Sequence, residues 1–165
     1  MLKKLHHNAY RCRDSEETRR FYQDFLGLPL VHTLEIRETK SGRKTETLHT
    51  FYQMEDGSCL AFFEAPDMPF EFKAQHDFDL HIALEVDGPV IDDMLARGRQ
   101  AGIETRGPSD HGFIRSVYFR DPNGYVIELC AKRADHDAQM DPAANGARAA
   151  LERWSAEKAA AVEHA

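Results

Sequence analysis

An internal repeat is the strongest constraint on the fold, because the order strand, helix, three strands occurs twice along the chain. His7 lies 20 residues before Gly27, and His81 lies 21 residues before Gly102, so each half has a histidine at the same place in its first strand. Period-two apolar patterns and turn residues predict the following segments. The predicted strands are 5–13, 30–38, 46–54, 59–64, 79–86, 103–106 and a hairpin over 116–131, with helices after Asp14 and Asp87 and loops at 65–78 and 107–112.

The predicted hairpin over 116–131 contains a carboxylate in an otherwise apolar strand. Its turn, Asp121-Pro122-Asn123-Gly124, has residues that set or tolerate the special backbone angles of a tight turn. Its second strand is apolar except for Glu128. A carboxylate in such a strand is costly unless it is paired or binds a metal. Glu128 is therefore a candidate ligand.

Strand parity shows which side chains share a face with that carboxylate. Residues two apart in a strand point to the same side. Aligning the halves on their turn glycines gives an inner set of His7, His81 and Glu128, with Ala61 at the position that matches Glu128. Glu64 has the opposite parity to Ala61, which predicts a surface or rim position. Two histidines and a carboxylate suit a divalent transition metal and leave coordination positions open, although a lone strand histidine is more often an ordinary core or rim residue.

Composition limits the range of functions. The 165 residues suffice for one domain with a core, and a net charge of −7 argues against a nucleic-acid-binding surface. No apolar run reaches the length of a membrane span, and the N-terminus does not have the pattern of a signal peptide. Three cysteines without a CxxC spacing predict reduced thiols and a cytoplasmic protein.

The tail, 135–165, is Ala-rich and predicts a helix that begins at Asp141-Pro142. An apolar stripe along it admits two interpretations. The favoured one is a helix packed back on the domain, and the alternative is a dimer contact. The stripe consists of Ala147, Leu151, Trp154 and Ala161.

Four stretches, LHHNAYRCRD, RRFYQDFLGLPL, DLHIALEV and SVYFRDPNGYVIEL, resemble the vicinal oxygen chelate superfamily of glyoxalases, antibiotic-resistance proteins and extradiol dioxygenases. The resemblance covers about 5–131. It implies an α+β fold in which two βαβββ modules, about 4–66 and 78–132, form a cup-shaped mixed sheet around a metal. We therefore expect a domain over 1–134 followed by a C-terminal helical tail.

The ligand pattern within this superfamily favours one chemistry. Glyoxalases usually have a first-module carboxylate, where this chain has Ala61. Extradiol dioxygenases use a His, His, Glu set, here His7, His81 and Glu128, together with a tyrosine ten residues before the Glu and a histidine in the preceding loop. Tyr118 and His111 match those two positions. The further catalytic histidine of these enzymes has no clear counterpart here, and parity suggests His49 instead.

The resemblance thus implies an Fe(II)-dependent ring-cleaving dioxygenase that acts on a catechol-like diol, with Mn(II), Zn(II) or Ni(II) as other possible metals. Phe51, Phe63 and Phe113 would line an aromatic pocket or belong to the core. The expected partners are a small-molecule substrate and a second copy in a homodimer, with neither nucleic acid nor membrane. Three alternatives stay open: a fosfomycin-type thiol transferase, which would have Thr where this chain has Ala9; a glyoxalase-like isomerase; and a non-catalytic resistance protein that binds small molecules.

Overall fold

A computed structural model describes residues 1–163, and both halves contain the predicted order of strand, helix and three strands. The strands are β1 (His7–Arg11), β2 (Leu30–Glu38), β3 (Lys44–Gln53), β4 (Cys59–Glu64), β5 (His81–Glu85), β6 (Thr105–Asp110), β7 (Ile114–Arg120) and β8 (Val126–Lys132). The helices are α1 (Ser15–Arg19), continued by a π-helical segment (Arg20–Phe25), α2 (Gly88–Gln100), α3 (His136–Gln139) and α4 (Ala147–Glu163).

The fold is α+β with two four-stranded sheets, which confirms the predicted fold class. The strand orders are β1-β4-β3-β2 and β5-β8-β7-β6. In the first sheet β1 runs parallel to β4, and the other neighbours are antiparallel. Two four-stranded sheets with the same strand order along each half are what two βαβββ repeats produce.

The two faces of the first sheet carry different kinds of side chain. One face packs against the first helical segment, where the ring centroids of Tyr22 and Phe62 lie 4.6 Å apart and those of Tyr22 and Tyr52 lie 5.5 Å apart. Tyr22, Tyr52 and Phe62 are each 0 % exposed. Side chains alternate along each strand, so this apolar packing leaves the opposite face to a different set of residues, which includes His7 and His49.

The turn between β7 and β8 is built around a buried carboxylate. Asp121 Oδ1 accepts hydrogen bonds from the backbone N–H groups of Asn123 and Tyr125, both at 2.8 Å, and its Oδ2 accepts one from the Tyr22 hydroxyl at 3.0 Å. Asn123 Oδ1 in turn accepts the backbone N–H of Arg13 at 2.8 Å. Burial raises the pKa of Asp121. These bonds connect the turn to the first helix and to the end of β1.

By contact density the chain forms two compact units. The first contains residues 1–82 and 119–127, and the second contains 83–118 and the described residues from 128 onward. In the first unit, residues 65–80 join β4 to β5. The start of this segment is held by β1, because Arg11 Nη2 donates to the carbonyls of Ala65 and Met68 at 2.8 and 2.9 Å. In the second unit, Ile91 and Met94 are the buried apolar residues of α2.

Two predicted elements differ from the structure. The strand predicted at 103–106 is β6 at Thr105–Asp110, so much of the predicted loop 107–112 is strand. Gly107 and Pro108 suggested a loop, but β6 lies at the edge of its sheet, where a proline costs no ladder bond. The first helix begins as predicted, with Asp14 Oδ1 accepting the Glu17 N–H at 2.8 Å, and then widens into a π-helical segment.

The tail also departs from the favoured interpretation. Its long helix, α4, begins at Ala147 rather than at Asp141-Pro142, since Asp141 Oδ1 and Asn145 Oδ1 accept the N–H groups of Ala143 and Ala147 and form turns instead. Leu151 and Trp154 are 58 % and 61 % exposed, so α4 is not packed back on the domain. Two large side chains in an Ala-rich helix offer little apolar area for that packing. Over residues 1–163, the structure has no helix with the length and apolar character needed to cross a membrane.

Candidate metal and substrate site

The open face of the first sheet gathers histidine and aromatic side chains. Register pairs His7 with Cys59, Phe51 with Ala61 and His49 with Phe63, so these residues lie on one face. The centroid of the His7 ring lies 5.4 Å from that of Phe51 and 6.2 Å from that of His49. The predicted residues His7 and His49 are therefore brought together, beside the aromatic ring of Phe51.

His49 has a well-defined tautomer. Its Nδ1 lies 2.9 Å from the Phe62 carbonyl oxygen, which can only accept, so Nδ1 carries the proton and Nε2 carries the lone pair. The ring is 6 % exposed and stacks on Phe63 with centroids 3.6 Å apart. Burial lowers the pKa of His49. The imidazole is neutral at neutral pH and can accept a proton at Nε2.

His81 and His7 both have a partner at Nδ1. His81 Nδ1 donates to the backbone carbonyl of Asp77 at 2.6 Å, which fixes the tautomer with a lone pair on Nε2. His7 Nδ1 lies 2.7 Å from His6 Nδ1, so one ring donates to the other. A histidine that binds a metal through Nε2 usually has a hydrogen-bond partner of this kind at its other nitrogen.

Glu128 is paired through a chain of hydrogen bonds. The Tyr118 hydroxyl lies 3.2 Å from Glu128 Oε1 and 2.7 Å from His111 Nε2. Glu128 is 4 % exposed, and the Arg106 guanidinium lies over the Tyr118 ring at 5.2 Å from its centroid. Three residues predicted separately from the sequence, His111, Tyr118 and Glu128, thus form one connected group.

Ala61 and Glu64 lie on opposite faces of β4. Ala61 pairs with Phe51 on the face that carries His7 and His49, whereas Glu64 pairs with Leu48 on the other. The Glu64 carboxylate caps the first helix, because its Oε2 accepts the Ser15 N–H at 2.7 Å. It also lines a shallow groove with Glu35 on that opposite face. The face that carries His7 therefore has an alanine at the position that the sequence alignment of the two halves matches to Glu128.

The three predicted metal ligands are distributed over the two compact units. Within residues 1–163, no group of three or more His, Cys, Asp or Glu side chains stands ready to hold a metal ion. His7 and His81 belong to the first compact unit and Glu128 to the second. A metal centre at His7, His81 and Glu128 accordingly stays a prediction.

Sequence reasoning missed several neighbours of these residues. The His32 ring lies 5.5 Å from that of Phe51, and Arg106 contacts Tyr118. The register of β2 against β3 shifts between Leu30 and His32, so counting along the strand does not place His32. His6 directly precedes β1, and its ring meets that of His7 because adjacent residues can still come together at a strand end.

Comparison with known sequences gives a consistent assignment. The sequence model described as Glyoxalase/Bleomycin resistance protein/Dioxygenase superfamily matches residues 4–129. A lactoylglutathione lyase of Haemophilus influenzae is 31 % identical over 78 % of this chain and 92 % of that protein. One of Neisseria meningitidis serogroup A is 28 % identical over 82 % of this chain and 95 % of that protein. Biphenyl-2,3-diol 1,2-dioxygenase 3 of Rhodococcus globerulus is 48 % identical, over 26 % of this chain and 22 % of that enzyme.

Solved structures show the same fold. A glyoxalase/dioxygenase from Nostoc punctiforme matches with a TM-score of 0.60 and 27 % identity over 79 % of this chain and 92 % of that chain. A fosfomycin resistance protein, FosX, from Listeria monocytogenes matches with a TM-score of 0.63 and 21 % identity, over 82 % of this chain and 98 % of that chain. At that identity the second likeness supports the fold alone.

Proposed function

Because the chain belongs to the Glyoxalase/Bleomycin resistance protein/Dioxygenase superfamily, we propose that it is a metal-dependent dioxygenase that opens the ring of a catechol-like diol. The observation that carries this proposal is the hydrogen-bonded chain from His111 through Tyr118 to Glu128. It supplies proton donors and acceptors next to a buried carboxylate. The local identity to a biphenyl-diol dioxygenase supports the same chemistry.

The donor types of the three predicted ligands, two imidazoles and one carboxylate, fit a divalent transition metal. His81 holds Nδ1–H on a backbone carbonyl, His7 has a partner at Nδ1, and Glu128 is buried with a hydroxyl partner. In this proposal His7, His81 and Glu128 would hold Fe(II), which would supply Lewis acidity toward the diol and a path for electrons between diol and dioxygen. Mn(II) is the first alternative, since the related FosX protein was crystallised with it.

The remaining residues bind the substrate and move protons. His49, neutral and with its lone pair on Nε2, takes a proton from the diol. The Tyr118 hydroxyl passes its proton to a substrate oxygen, and His111 Nε2–H returns a proton to the Tyr118 oxygen through the 2.7 Å bond. Phe51 and Phe63 offer ring faces for an aromatic substrate.

The reaction balances without a further reductant. One carbon–carbon bond next to the diol breaks, both atoms of dioxygen enter the product, and the ring opens to an aldehyde or ketone and a carboxylate. We therefore expect diol and oxygen to disappear in equal amounts, and a yellow product to form.

A glyoxalase-like isomerase is the second candidate, favoured by the match to lactoylglutathione lyases over most of the chain. Ala61 distinguishes the two candidates, because it removes a carboxylate from the face that carries His7. Three protein ligands leave more positions for a bidentate diol and an oxygen-derived ligand than four do.

The test is metal analysis of the purified protein followed by oxygen uptake with a panel of catechols. We expect one metal ion per chain after anaerobic loading with Fe(II), lost in His81→Ala and kept in His76→Ala, a matched histidine outside the strands. If the wild-type protein does not bind stoichiometric metal, the proposal that it is a metal-dependent enzyme is wrong. Isomerisation of a glutathione hemithioacetal, or thiol addition to fosfomycin, without oxygen uptake would assign the protein to those activities instead.

A further inference from the structure

The turn that carries His111 is held by the segment that follows β8. This clamp consists of Arg133 and His136. The Arg133 backbone N–H donates to the Phe113 carbonyl at 2.9 Å, and its Nη1 donates to Asp110 Oδ2 at 2.8 Å. The His136 ring stacks on Phe113 with centroids 5.9 Å apart and an interplanar angle of 30°. All these residues belong to the second compact unit.

Bonds within the turn pass this support on to His111. The His111 N–H donates to the Ile114 carbonyl at 3.0 Å, and the Gly112 N–H donates to Asp110 Oδ1 at 2.9 Å. The two oxygens of Asp110 thus have separate tasks, one inside the turn and one on Arg133. The backbone on both sides of the His111 Cα is fixed, and its ring reaches the Tyr118 hydroxyl.

Stability alone does not explain the clamp well. The Arg133 and Asp110 side chains are 47 % and 56 % exposed, and an ion pair at such exposure stabilises a fold only weakly. A hairpin tip with an exposed histidine is, however, a place where the chain is mobile unless it is tied down. The contacts converge on the backbone around His111, whose ring must stay within hydrogen-bond distance of Tyr118 to act.

We propose that Arg133 and His136 are positioning residues that hold His111 in its bond to Tyr118; the catalytic consequence rests on the proposed function. The clamp limits where the imidazole can lie, so proton transfer along the chain of hydrogen bonds depends on residues that touch neither metal nor substrate. His111 Nε2 keeps its hydroxyl partner because the segment after β8 prevents the turn from opening.

The first test does not depend on any activity. Hydrogen exchange of the His111 amide and the ring ¹⁵N shifts of His111 are measured by NMR in metal-free wild type, in Arg133→Gln/His136→Ala and in Arg115→Gln. Arg115 is the matched control. It lies on the same strand as Tyr118, and its guanidinium makes a bidentate ion pair with Asp92 of α2 at 2.6 and 2.9 Å. In the double variant we expect the His111 amide to exchange roughly tenfold faster and the ring ¹⁵N shifts of His111 to be those of a mixture of tautomers. In the control we expect both to equal the wild-type values. Unchanged signals in the double variant would overturn the proposal.

The second test separates positioning from general destabilisation. The double variant should lower kcat roughly tenfold at unchanged metal content and KM, and the same two changes should have no further effect in a His111→Ala background. An equal loss of kcat in that background would show that the clamp acts through something other than His111, which overturns the proposal. If the wild type consumes no oxygen with any catechol, the proposed function fails, and the NMR comparison still decides the positioning role.

Discussion

At the scale of single residues, Tyr118 is the sharpest test of the proposed chemistry. Its hydroxyl joins His111 Nε2 at 2.7 Å to Glu128 Oε1 at 3.2 Å. Tyr118→Phe removes that hydroxyl and preserves the ring under the Arg106 guanidinium. We expect oxygen uptake to fall roughly 10²-fold, as is usual for one positioned acid or base, while metal stoichiometry is unchanged. Equal losses of metal and turnover would instead place Tyr118 in a purely structural role.

Cys12 provides a prediction about pH. It is 2 % exposed, and burial raises the pKa of its thiol from 9.0 to about 11. Between these two values the unfolded chain loses the thiol proton and the folded chain keeps it, so the free energy of unfolding decreases as pH rises. Urea denaturation at about pH 8 and about pH 10.5 should show this loss.

The control for that prediction is Cys12→Ala. Its free energy of unfolding should be lower at neutral pH because of the smaller side chain, and it should depend less on pH over the alkaline range. An identical slope in variant and wild type would mean that other buried groups account for the alkaline loss. Tyr52 and Tyr125 are the relevant ones, since burial raises the pKa of each from 10.0 to about 12.

Residue-level prediction succeeded where strand parity decides position and failed where register shifts. Glu64 lies on the face opposite to Ala61 because a strand has a period of two, and that count needs no tertiary information. The sequence places Tyr118 ten residues before Glu128 on the neighbouring strand of the hairpin. The structure shows that the Tyr118 hydroxyl bonds both to Glu128 and to His111. His32 was missed because the irregular pairing of β2 with β3 is not visible in the sequence.

At the scale of elements, the turn between β7 and β8 depends on Gly124. Its φ is +95°, and a Cβ there would lie 2.2 Å from the Lys73 carbonyl oxygen of the segment before β5. Gly124→Ala must therefore strain the turn and displace Lys73. We expect a loss of unfolding free energy of about 2–4 kcal/mol, combining backbone strain with a steric clash, measured by urea denaturation.

Gly102→Ala is the matched control. Gly102 follows α2 with a φ of +68°, and nothing lies within 4 Å of an added Cβ. The change adds backbone strain alone, of about 1–2 kcal/mol. Equal losses in the two variants would show that the segment around Lys73 moves away without cost.

Element boundaries show what local composition can predict. The turn of the last hairpin was predicted because Pro, Asn and Gly each impose a backbone angle, and the structure adds the four hydrogen bonds to Asp121. The extent of β6 was mispredicted because Gly107 and Pro108 read as a loop, whereas pairing with β7 at a sheet edge keeps them in a strand. Long-range pairing overrides local preference there.

At the scale of the whole molecule, α4 presents an apolar stripe that its own chain leaves exposed. Trp154, the single tryptophan of the sequence, is 61 % exposed, and Leu151 is 58 % exposed. In a dilute monomer its fluorescence should therefore resemble that of tryptophan in water and be quenched readily by acrylamide. Trp154→Ala should leave the free energy of unfolding of that monomer within about 0.5 kcal/mol of wild type, as is usual for surface substitutions.

The same tryptophan reports on self-association, since the sequence resemblance predicts a homodimer. If two copies pair through α4, increasing the protein concentration should shift the emission to shorter wavelength in step with the dimer fraction from sedimentation, since burial of the indole removes it from water. If a dimer forms and the Trp154 emission does not change, the contact lies elsewhere. If acrylamide fails to quench Trp154 in the dilute monomer, the exposed position of α4 is contradicted. Leu151→Ala/Trp154→Ala should then abolish only a dimer that uses this helix, while Arg148→Gln, which breaks an exposed ion pair with Glu152 on the same helix, should leave it intact.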